Sequence, residues 1–229
     1  MGIWKKILKL NFEYRVVISY LIFGIALLTL FFSKNYNYNT IADFFGFDRT
    51  YAMIGIFLFI GIVNLGTWVY RSYAGGYLSG YIIVTKKVQT EKLITVGPYA
   101  YVRNPLYLAD ITAMTCIGLA GGPIAIAVLF FGKIATSYMY AKYEEENLLK
   151  EWGKEYKDYM ENVPLFIPRL TPYKKDSGSK DRAVKINWKE GLVYNFYAFG
   201  IGVAFIIAAI TQQRSALYIY FFIAPTIGV

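Results

Sequence analysis

The sequence has 229 residues, of which 56% are hydrophobic and 17% charged, and its formal net charge is +9 at pH 7. Soluble domains carry about 25% charged residues, and the apolar residues here come in long blocks, so we expect an integral membrane protein. Histidine is absent and Cys116 is the single cysteine, which excludes an intrachain disulfide, histidine-based catalysis and a Cys/His zinc site. We therefore expect no metal. The excess of Lys and Arg lies in loops beside the apolar blocks, which favours anionic lipid headgroups over nucleic acid as the partner.

The apolar blocks predict an all-α, polytopic bundle of five or six transmembrane helices. In chain order these predicted spans are 14–32, 51–70, 106–119, 124–143, 191–211 and a short 217–229. A basic amphipathic start, 1–9, precedes the first span, which we expect to stay in the protein as a signal anchor. Residues 34–50 are predicted as a polar loop, and 78–84 as a re-entrant or interfacial segment.

The same pattern divides the chain into four regions. These are the N-terminal transmembrane helices with a long loop (1–92), a core that carries the motifs below (93–170), a basic linker (171–189) and the C-terminal transmembrane helices (190–229). Cytoplasmic loops are the basic ones, and the N-terminus, the loop 71–103 and the segment 142–189 hold most of the lysines and arginines. We therefore expect a multi-pass protein whose N-terminus and functional site face the cytoplasm.

The first motif is a loop directly before the predicted helical hairpin of 106–119 and 124–143. It reads Gly97, Pro98, Tyr99, Ala100, Tyr101, Val102, Arg103, Asn104, Pro105, Leu106, Tyr107. Gly-Pro predicts a turn, and Asn-Pro predicts a helix start, because Asn caps helices and Pro suits the first helical position. A helix N-terminus beside Arg103 would attract an anionic group. An ordinary capped helix, with a snorkelling arginine and interfacial tyrosines, fits the same residues.

The second motif is the acidic run Glu144, Glu145 and Glu146, which follows the second arm of the hairpin. Carboxylates at a helix C-terminus would oppose the helix dipole, so we expect the helix to continue towards Gly153 as its C-terminal cap. Glu144 or Glu145 could then bind ribose hydroxyls or balance a cationic ligand, whereas we expect Glu146 in solvent. A solvated charge cluster is the alternative. Since the hairpin returns to the membrane face where it began, both motifs should meet there.

Asp110 stands apart because it lies about five residues inside the first arm of the hairpin. A carboxylate near the centre of a membrane helix costs roughly 2.5–3.5 kcal/mol on insertion scales, so such residues face the bundle interior. Two roles are open for Asp110. It could form a structural hydrogen bond to a neighbouring helix, or it could bind a substrate amine or accept a proton.

Together the two motifs resemble the isoprenylcysteine carboxyl methyltransferase-like family of membrane methyltransferases, which is related to the phospholipid methyltransferases. The resemblance covers 93–170 and keeps the family's spacing in both parts. The matching residues are Gly97, Pro98, Tyr99, Tyr101, Val102, Arg103, Pro105 and Tyr107 in the first part, and Glu144, Glu145, Leu148, Gly153, Tyr156, Tyr159, Val163, Pro164, Ile167 and Pro168 in the second. The chain departs from the family at Asn104 (usually His), at Trp152 (Phe) and at Ala109 and Asp110 (Gly and an apolar residue).

The resemblance implies S-adenosyl-L-methionine as methyl donor and a lipid or other apolar small molecule from the bilayer as acceptor. It also implies the donor's carboxylate near Arg103, its ribose near Glu144 or Glu145, and its sulfonium near tyrosine faces. The cofactor-binding residues implied are Gly97, Pro98, Tyr99, Tyr101, Val102, Arg103, Asn104, Pro105, Tyr107, Glu144, Glu145 and Tyr156, and the candidate catalytic residues are Arg103, Glu145 and Asp110.

Two other functions fit the sequence less well. One is an NADPH-dependent, sterol-reductase-like membrane enzyme, which shares an Arg-His-Pro loop but which the short chain and the paired glutamates disfavour. The other is a non-enzymatic membrane scaffold, which the Asn104 substitution keeps open. The acceptor, the acceptor atom (O, N or S) and the oligomeric state do not follow from the sequence.

Overall fold

The computed structural model of the protein describes residues 2–33, 36–78, 92–174 and 185–213. Over these ranges the chain is helical and has no strand, which confirms the predicted all-α class. The elements are α1 (Ile3–Glu13), α2 (Arg15–Ser33), α3 (Asn37–Phe45), α4 (Arg49–Gly75), a 3₁₀ helix (Gly97–Ala100), α5 (Pro105–Gly118), α6 (Pro123–Asn162), α7 (Trp188–Tyr194) and α8 (Phe196–Thr211). The predicted span 217–229 and nearly all of the predicted segment 78–84 lie outside the described residues.

Two of the described helices, α4 and α6, are long and apolar enough to cross a membrane. The pair α7 and α8 adds a third crossing if the two helices together make one bent span. Helix α2 adds a shorter apolar stretch within the described residues, Arg15–Ala26. The chain is therefore a helical membrane protein, and the five or six crossings stay a prediction.

One predicted loop was wrong, and one predicted span contains a bend. The loop predicted at 34–50 contains α3, because its tyrosine and alanine side chains are buried and Asn37 Nδ2 donates to the Leu119 carbonyl oxygen at 3.2 Å. The span predicted at 191–211 is interrupted at Asn195, whose φ of −109° and ψ of 8° end the helical geometry between α7 and α8. Contacts with residues distant in sequence decide the first case, and the backbone angles of one residue decide the second. The hydropathy pattern shows neither.

The chain forms two compact units, the first of which comprises Met1–Arg15, Tyr70–Ala109 and Thr136–Tyr194. Its buried side chains include Leu8, Phe12, Ala74, Ile94, Tyr99, Val102, Tyr156, Tyr159 and Val163. Backbone hydrogen bonds join the loop before α5 to the segment after α6, from Arg103 N to Pro164 O (2.9 Å), from Arg169 N to Tyr101 O (2.9 Å) and from Tyr173 N to Ala100 O (2.8 Å). The two motif-bearing segments thus lie side by side.

The second unit comprises Val16–Val69, Asp110–Ala135 and Asn195–Val229. Its apolar core contains Ala26, Tyr38, Ala42, Ala52, Met53, Phe57, Ile60, Ile117, Ala125, Leu129, Ile201, Phe205, Ala208 and Ala209. Helices α4 and α8 approach closely within it, because a Cβ atom on Gly61 would lie 2.6 Å from Ile206 Cγ1 and 3.0 Å from the Gly202 carbonyl oxygen. Small residues that let helix backbones approach are typical of packing in membranes.

Candidate functional site

The loop before α5 folds around Gly97, whose φ of 60° lies in the region that favours glycine. A Cβ atom there would also lie 2.5 Å from the ring of Tyr77, so the position needs glycine for two reasons. The following 3₁₀ turn buries Tyr99, whose hydroxyl donates to the Ala74 carbonyl oxygen at 3.4 Å. The Tyr159 hydroxyl donates to the Tyr99 carbonyl oxygen at 2.7 Å. Burial raises the pKa of Tyr99 well above its ordinary value, so its phenol stays protonated.

A buried ion pair joins the two predicted motifs. Arg103 Nη2 lies 3.1 Å from Glu145 Oε1, and the two side chains are 10% and 4% exposed. Arg103 Nη1 donates to the Met160 carbonyl oxygen at 2.7 Å, and Lys142 Nζ donates to Glu145 Oε2 at 2.7 Å. Arg103 Nε is buried without a hydrogen-bond partner among the residues that the structure describes. The guanidinium therefore keeps one desolvated donor available for a ligand.

The neighbouring carboxylate, Glu144, has a different partner. The Tyr107 hydroxyl donates to Glu144 Oε1 at 2.8 Å, and the Tyr107 side chain and Glu144 are each half-buried. Glu146 lies 3.5 Å from Lys5 Nζ at a partly exposed position. Successive residues of a helix point about 100° apart, which explains why the three glutamates have three environments. Tyr156, which is 3% exposed, packs on Tyr159 beside the buried ion pair.

A cavity of about 650 Å³ opens beside the loop. Its lining residues are Tyr70, Tyr73, Gly97, Pro98, Ala100, Tyr101, Leu108, Pro168 and Pro172. They come from the end of α4, the motif loop, the first turn of α5 and the segment after α6. Ligand pockets have volumes of about 300–1,000 Å³ and mostly apolar walls with a few polar groups. Tyrosine rings and prolines without a charged side chain suit a flat ring or the apolar flank of a cation.

The helix boundaries near the two motifs agree with the sequence prediction. Helix α5 begins at Pro105, and the Leu108 N–H donates to the Asn104 carbonyl oxygen at 3.0 Å, as in a capped start. Helix α6 consists of two helical stretches that meet at a kink at Gly153, with φ 47° and ψ −118°, and the second stretch runs to Asn162. The first stretch therefore ends at Gly153 as predicted, and the second buries its tyrosines against the motif loop.

Asp110 lies in the second unit, where its carboxylate has partners of its own. Lys133 Nζ lies 3.8 Å from Asp110 Oδ2, and the Tyr197 hydroxyl donates to Asp110 Oδ1 at 3.3 Å. Lys133 Nζ also donates to Ser19 Oγ at 3.3 Å. These contacts fit the structural alternative for Asp110, and its catalytic role stays a prediction.

Sequence reasoning missed several residues of this region. Lys142 could have been found, because it stands three residues before Glu145 on one helix face, where opposite charges meet. Tyr70 was predicted only as the last residue of the span 51–70, and Tyr73 was not singled out, although both line the cavity. The Met160 carbonyl oxygen, which accepts a hydrogen bond from Arg103, could not be predicted from the sequence. It is a backbone group, and the helical stretch after Gly153 brings it close to Arg103.

Comparisons with known proteins find partial matches that include this region. Residues 49–155 match the family model described as phospholipid methyltransferase. The nickel-cobalt-cadmium resistance protein NccN of Alcaligenes xylosoxydans xylosoxydans is 30% identical over 107 residues, which are 47% of this chain and 47% of the relative. The cobalt-zinc-cadmium resistance protein CzcN of Cupriavidus metallidurans is 30% identical over 115 residues, 50% of each chain.

The human protein-S-isoprenylcysteine O-methyltransferase is 27% identical over 110 residues, which are 45% of this chain and 37% of the human protein. The chain thus spans about half the length, or less, of the curated relatives it matches. The comparison with solved structures gives no significant match. The resemblance inferred from the motifs is confirmed, because residues 49–155 match the phospholipid methyltransferase model and isoprenylcysteine methyltransferases are among the relatives.

Proposed function

We propose that the protein is an integral membrane methyltransferase that uses S-adenosyl-L-methionine to methylate a lipid or another apolar acceptor. The observation that carries this proposal is the buried contact between Arg103 and Glu145, which joins the two family motifs inside one compact unit. An isolated structural role would explain the pair less well, since replacing a buried ion pair by apolar residues is often neutral or stabilising.

The residues of the first unit fit this cofactor chemically. Arg103 offers the unpartnered donor Nε to a carboxylate, and the tyrosine-lined cavity offers ring faces to an adenine or a sulfonium. Glu144 is the better candidate for ribose hydroxyls, because it is half-buried and held by one tyrosine, whereas two cations already hold Glu145.

When bound, S-adenosyl-L-methionine supplies an activated methyl group. The task of the chain is then mainly to bind and align, because in-line transfer to a nucleophilic acceptor depends on proximity and orientation. Tyr99, which burial keeps protonated, holds the loop in place and is not proposed as a base. The absence of histidine from the sequence is compatible with such a mechanism.

The membrane supplies the acceptor in this proposal. The names of the human, mouse and rat relatives describe methylation of isoprenylcysteine, whereas the metal-resistance relatives are named for resistance alone. We infer only the shared chemistry for this chain, an apolar or lipid-linked acceptor. Its predicted five or six crossings follow from the apolar blocks, and the cytoplasmic position of the N-terminus and the site follows from the distribution of basic residues.

Calorimetry on the detergent-purified full chain tests the proposal, with S-adenosylmethionine, S-adenosylhomocysteine and NADPH as titrants. We expect binding of the two adenosyl ligands alone, and a loss of about tenfold or more in Arg103→Ala, because hydrogen bonds to charged groups are worth about 1.5–3 kcal/mol. Arg49→Ala is the matched control, since its exposed pair with Asp43 lies in the second unit. Binding of NADPH alone would move the assignment to the reductase, and binding of none would favour a scaffold.

A further inference from the structure

Helix α1 has three distinct faces within the first unit. Leu8 and Phe12 are 1% and 2% exposed and pack into the unit, where the Phe12 ring lies 5.0 Å from that of Tyr143. A second face exposes large apolar side chains, namely Ile3, Trp4, Ile7 and Leu10, which are 42–81% exposed. The third face carries Lys5, Lys6, Lys9 and Glu13. Among the described residues of the unit, contacts bury the first face and leave the apolar second face exposed.

The length of α1 excludes a membrane crossing. It has 11 residues, and at about 1.5 Å per residue it is about 16 Å long, half the thickness of a bilayer core. A contiguous apolar face of this kind is unfavourable in water, while the lysines on the opposite side prevent burial in hydrocarbon. Both constraints are met when a helix lies in the plane of the membrane interface.

The charge of α1 indicates which lipids it contacts. Lys5 Nζ lies 3.5 Å from Glu146 and Lys9 Nζ lies 3.7 Å from Glu13, both at partly exposed positions. Lys6 is exposed and forms no ion pair within the described part of the chain. Three lysines against one glutamate leave the helix with a positive excess, and basic segments next to membranes are attracted to anionic headgroups.

We propose that α1 is an interfacial helix that docks on an anionic lipid surface of the membrane in which the protein sits. Trp4 would lie at headgroup level, the position that tryptophan prefers, and Ile3, Ile7 and Leu10 would enter the acyl boundary. Lys6 and Lys9 face the phosphates. Because α1 is held on the first unit by Phe12, this contact anchors the unit that carries the candidate site. The inference does not rest on methyl transfer.

Tryptophan quenching in nanodiscs tests the proposal with the full chain. Discs contain phosphatidylcholine alone or a mixture with phosphatidylglycerol, each with plain or brominated acyl chains. The difference between wild type and Trp4→Phe isolates the Trp4 signal from the other three tryptophans. We expect bromolipid to quench Trp4 more strongly in the anionic discs, and added salt to reduce that difference.

Charge variants sharpen the same measurement. A lysine near an anionic surface contributes about 1 kcal/mol. In anionic discs, Lys6→Glu should therefore lower the ratio of lipid-bound to free α1, read from the quenching of Trp4, by about fivefold or more. Lys154→Glu makes the same change in total charge at an exposed position outside α1 and should leave the signal unchanged. Both lysines are exposed, so neither variant should unfold the protein.

Two outcomes would overturn the proposal. Quenching of Trp4 by aqueous acrylamide but not by bromolipid would place α1 in solvent or against a protein partner. Equal bromolipid quenching in neutral and anionic discs, with no effect of Lys6→Glu, would leave an apolar contact without selection for anionic lipid.

Discussion

The two compact units bury polar groups in different ways. The first unit buries an arginine and a glutamate between the two motifs, where Arg103 donates to the Met160 carbonyl oxygen and Lys142 donates to Glu145. The second unit buries mostly apolar side chains, and glycine allows its helices to pack closely. Desolvated charges are costly and contribute to binding, whereas close apolar packing contributes to stability alone. We infer that changes at the buried ion pair of the first unit alter ligand affinity, and that changes at the apolar helix contacts of the second unit alter stability.

The largest expected effect is that of Glu145→Ala. The substitution leaves Arg103 buried without its carboxylate, and breaking a buried pair in this way costs about 3–5 kcal/mol. For a chain of this size such a loss lowers Tm by about 6 °C or more. Thermal unfolding in detergent measures it, and calorimetry should show that binding of S-adenosylhomocysteine is lost as well.

Arg103→Ala provides the internal control for this prediction. Lys142 would still pair with Glu145 after the change, so this variant should be more stable than Glu145→Ala. Its affinity for the adenosyl ligands should nevertheless fall. The reverse order of Tm values, or unchanged affinity in both variants, would contradict the role assigned to the pair.

The next effect in size is that of Gly97→Ala. A non-glycine residue at positive φ costs about 1–3 kcal/mol, and the added Cβ atom would overlap the Tyr77 ring, with a further cost of about 1–3 kcal/mol. Gly153→Ala is the control, because Gly153 also has a positive φ but has no atom within 4 Å of the added Cβ. We expect Gly97→Ala to have a lower Tm and a weaker ligand affinity than the wild type. Gly153→Ala should lower Tm by less.

A smaller effect is expected in the second unit from Gly61→Ala. The added methyl group would press on Ile206 and on the backbone of Gly202, and such overpacking costs about 1–3 kcal/mol. Gly55→Ala on the same helix meets nothing within 4 Å and should leave Tm unchanged or raise it, because alanine favours helix. Calorimetry below Tm should give wild-type affinity for both variants. A tenfold loss of affinity in Gly61→Ala would contradict the inference that helix packing in the second unit affects stability and not ligand binding.

The sequence predicted the family and the local geometry of the motif loop, because both depend on short-range signals. Gly97 and Pro98 indicated the turn, and Asn104 and Pro105 indicated the start of α5. For the three glutamates, the sequence separated Glu146, expected in solvent, from Glu144 and Glu145, but it did not distinguish between those two. The partners of Glu145 could not be assigned, since a hydrogen-bond partner is chosen by three-dimensional packing rather than by spacing.

Other features were missed because long-range contacts decide them. Helix α3 lies in a segment of polar composition, and its burial depends on bonds from Asn37 to residues about eighty positions away. The kink of α6 at Gly153 was predicted, but the burial of Tyr156 and Tyr159 after it was not, because it depends on contacts with the rest of the first unit. A local sequence pattern carries no information about such partners.

The smallest effect that we predict tests whether burial, rather than polarity as such, distinguishes the first unit. Tyr159→Phe removes a buried hydrogen bond to the Tyr99 carbonyl oxygen, and Tyr173→Phe removes an exposed one to Asp158 Oδ2, both 2.7 Å long. The buried change leaves a carbonyl group unsatisfied and should cost about 1 kcal/mol or more, whereas solvent can replace the lost partner of Asp158. Thermal unfolding should therefore show a lower Tm for Tyr159→Phe than for Tyr173→Phe. Equal Tm values would mean that burial does not increase the contribution of this unit's polar contacts to stability. That result would also contradict the large loss of Tm expected from breaking the buried ion pair.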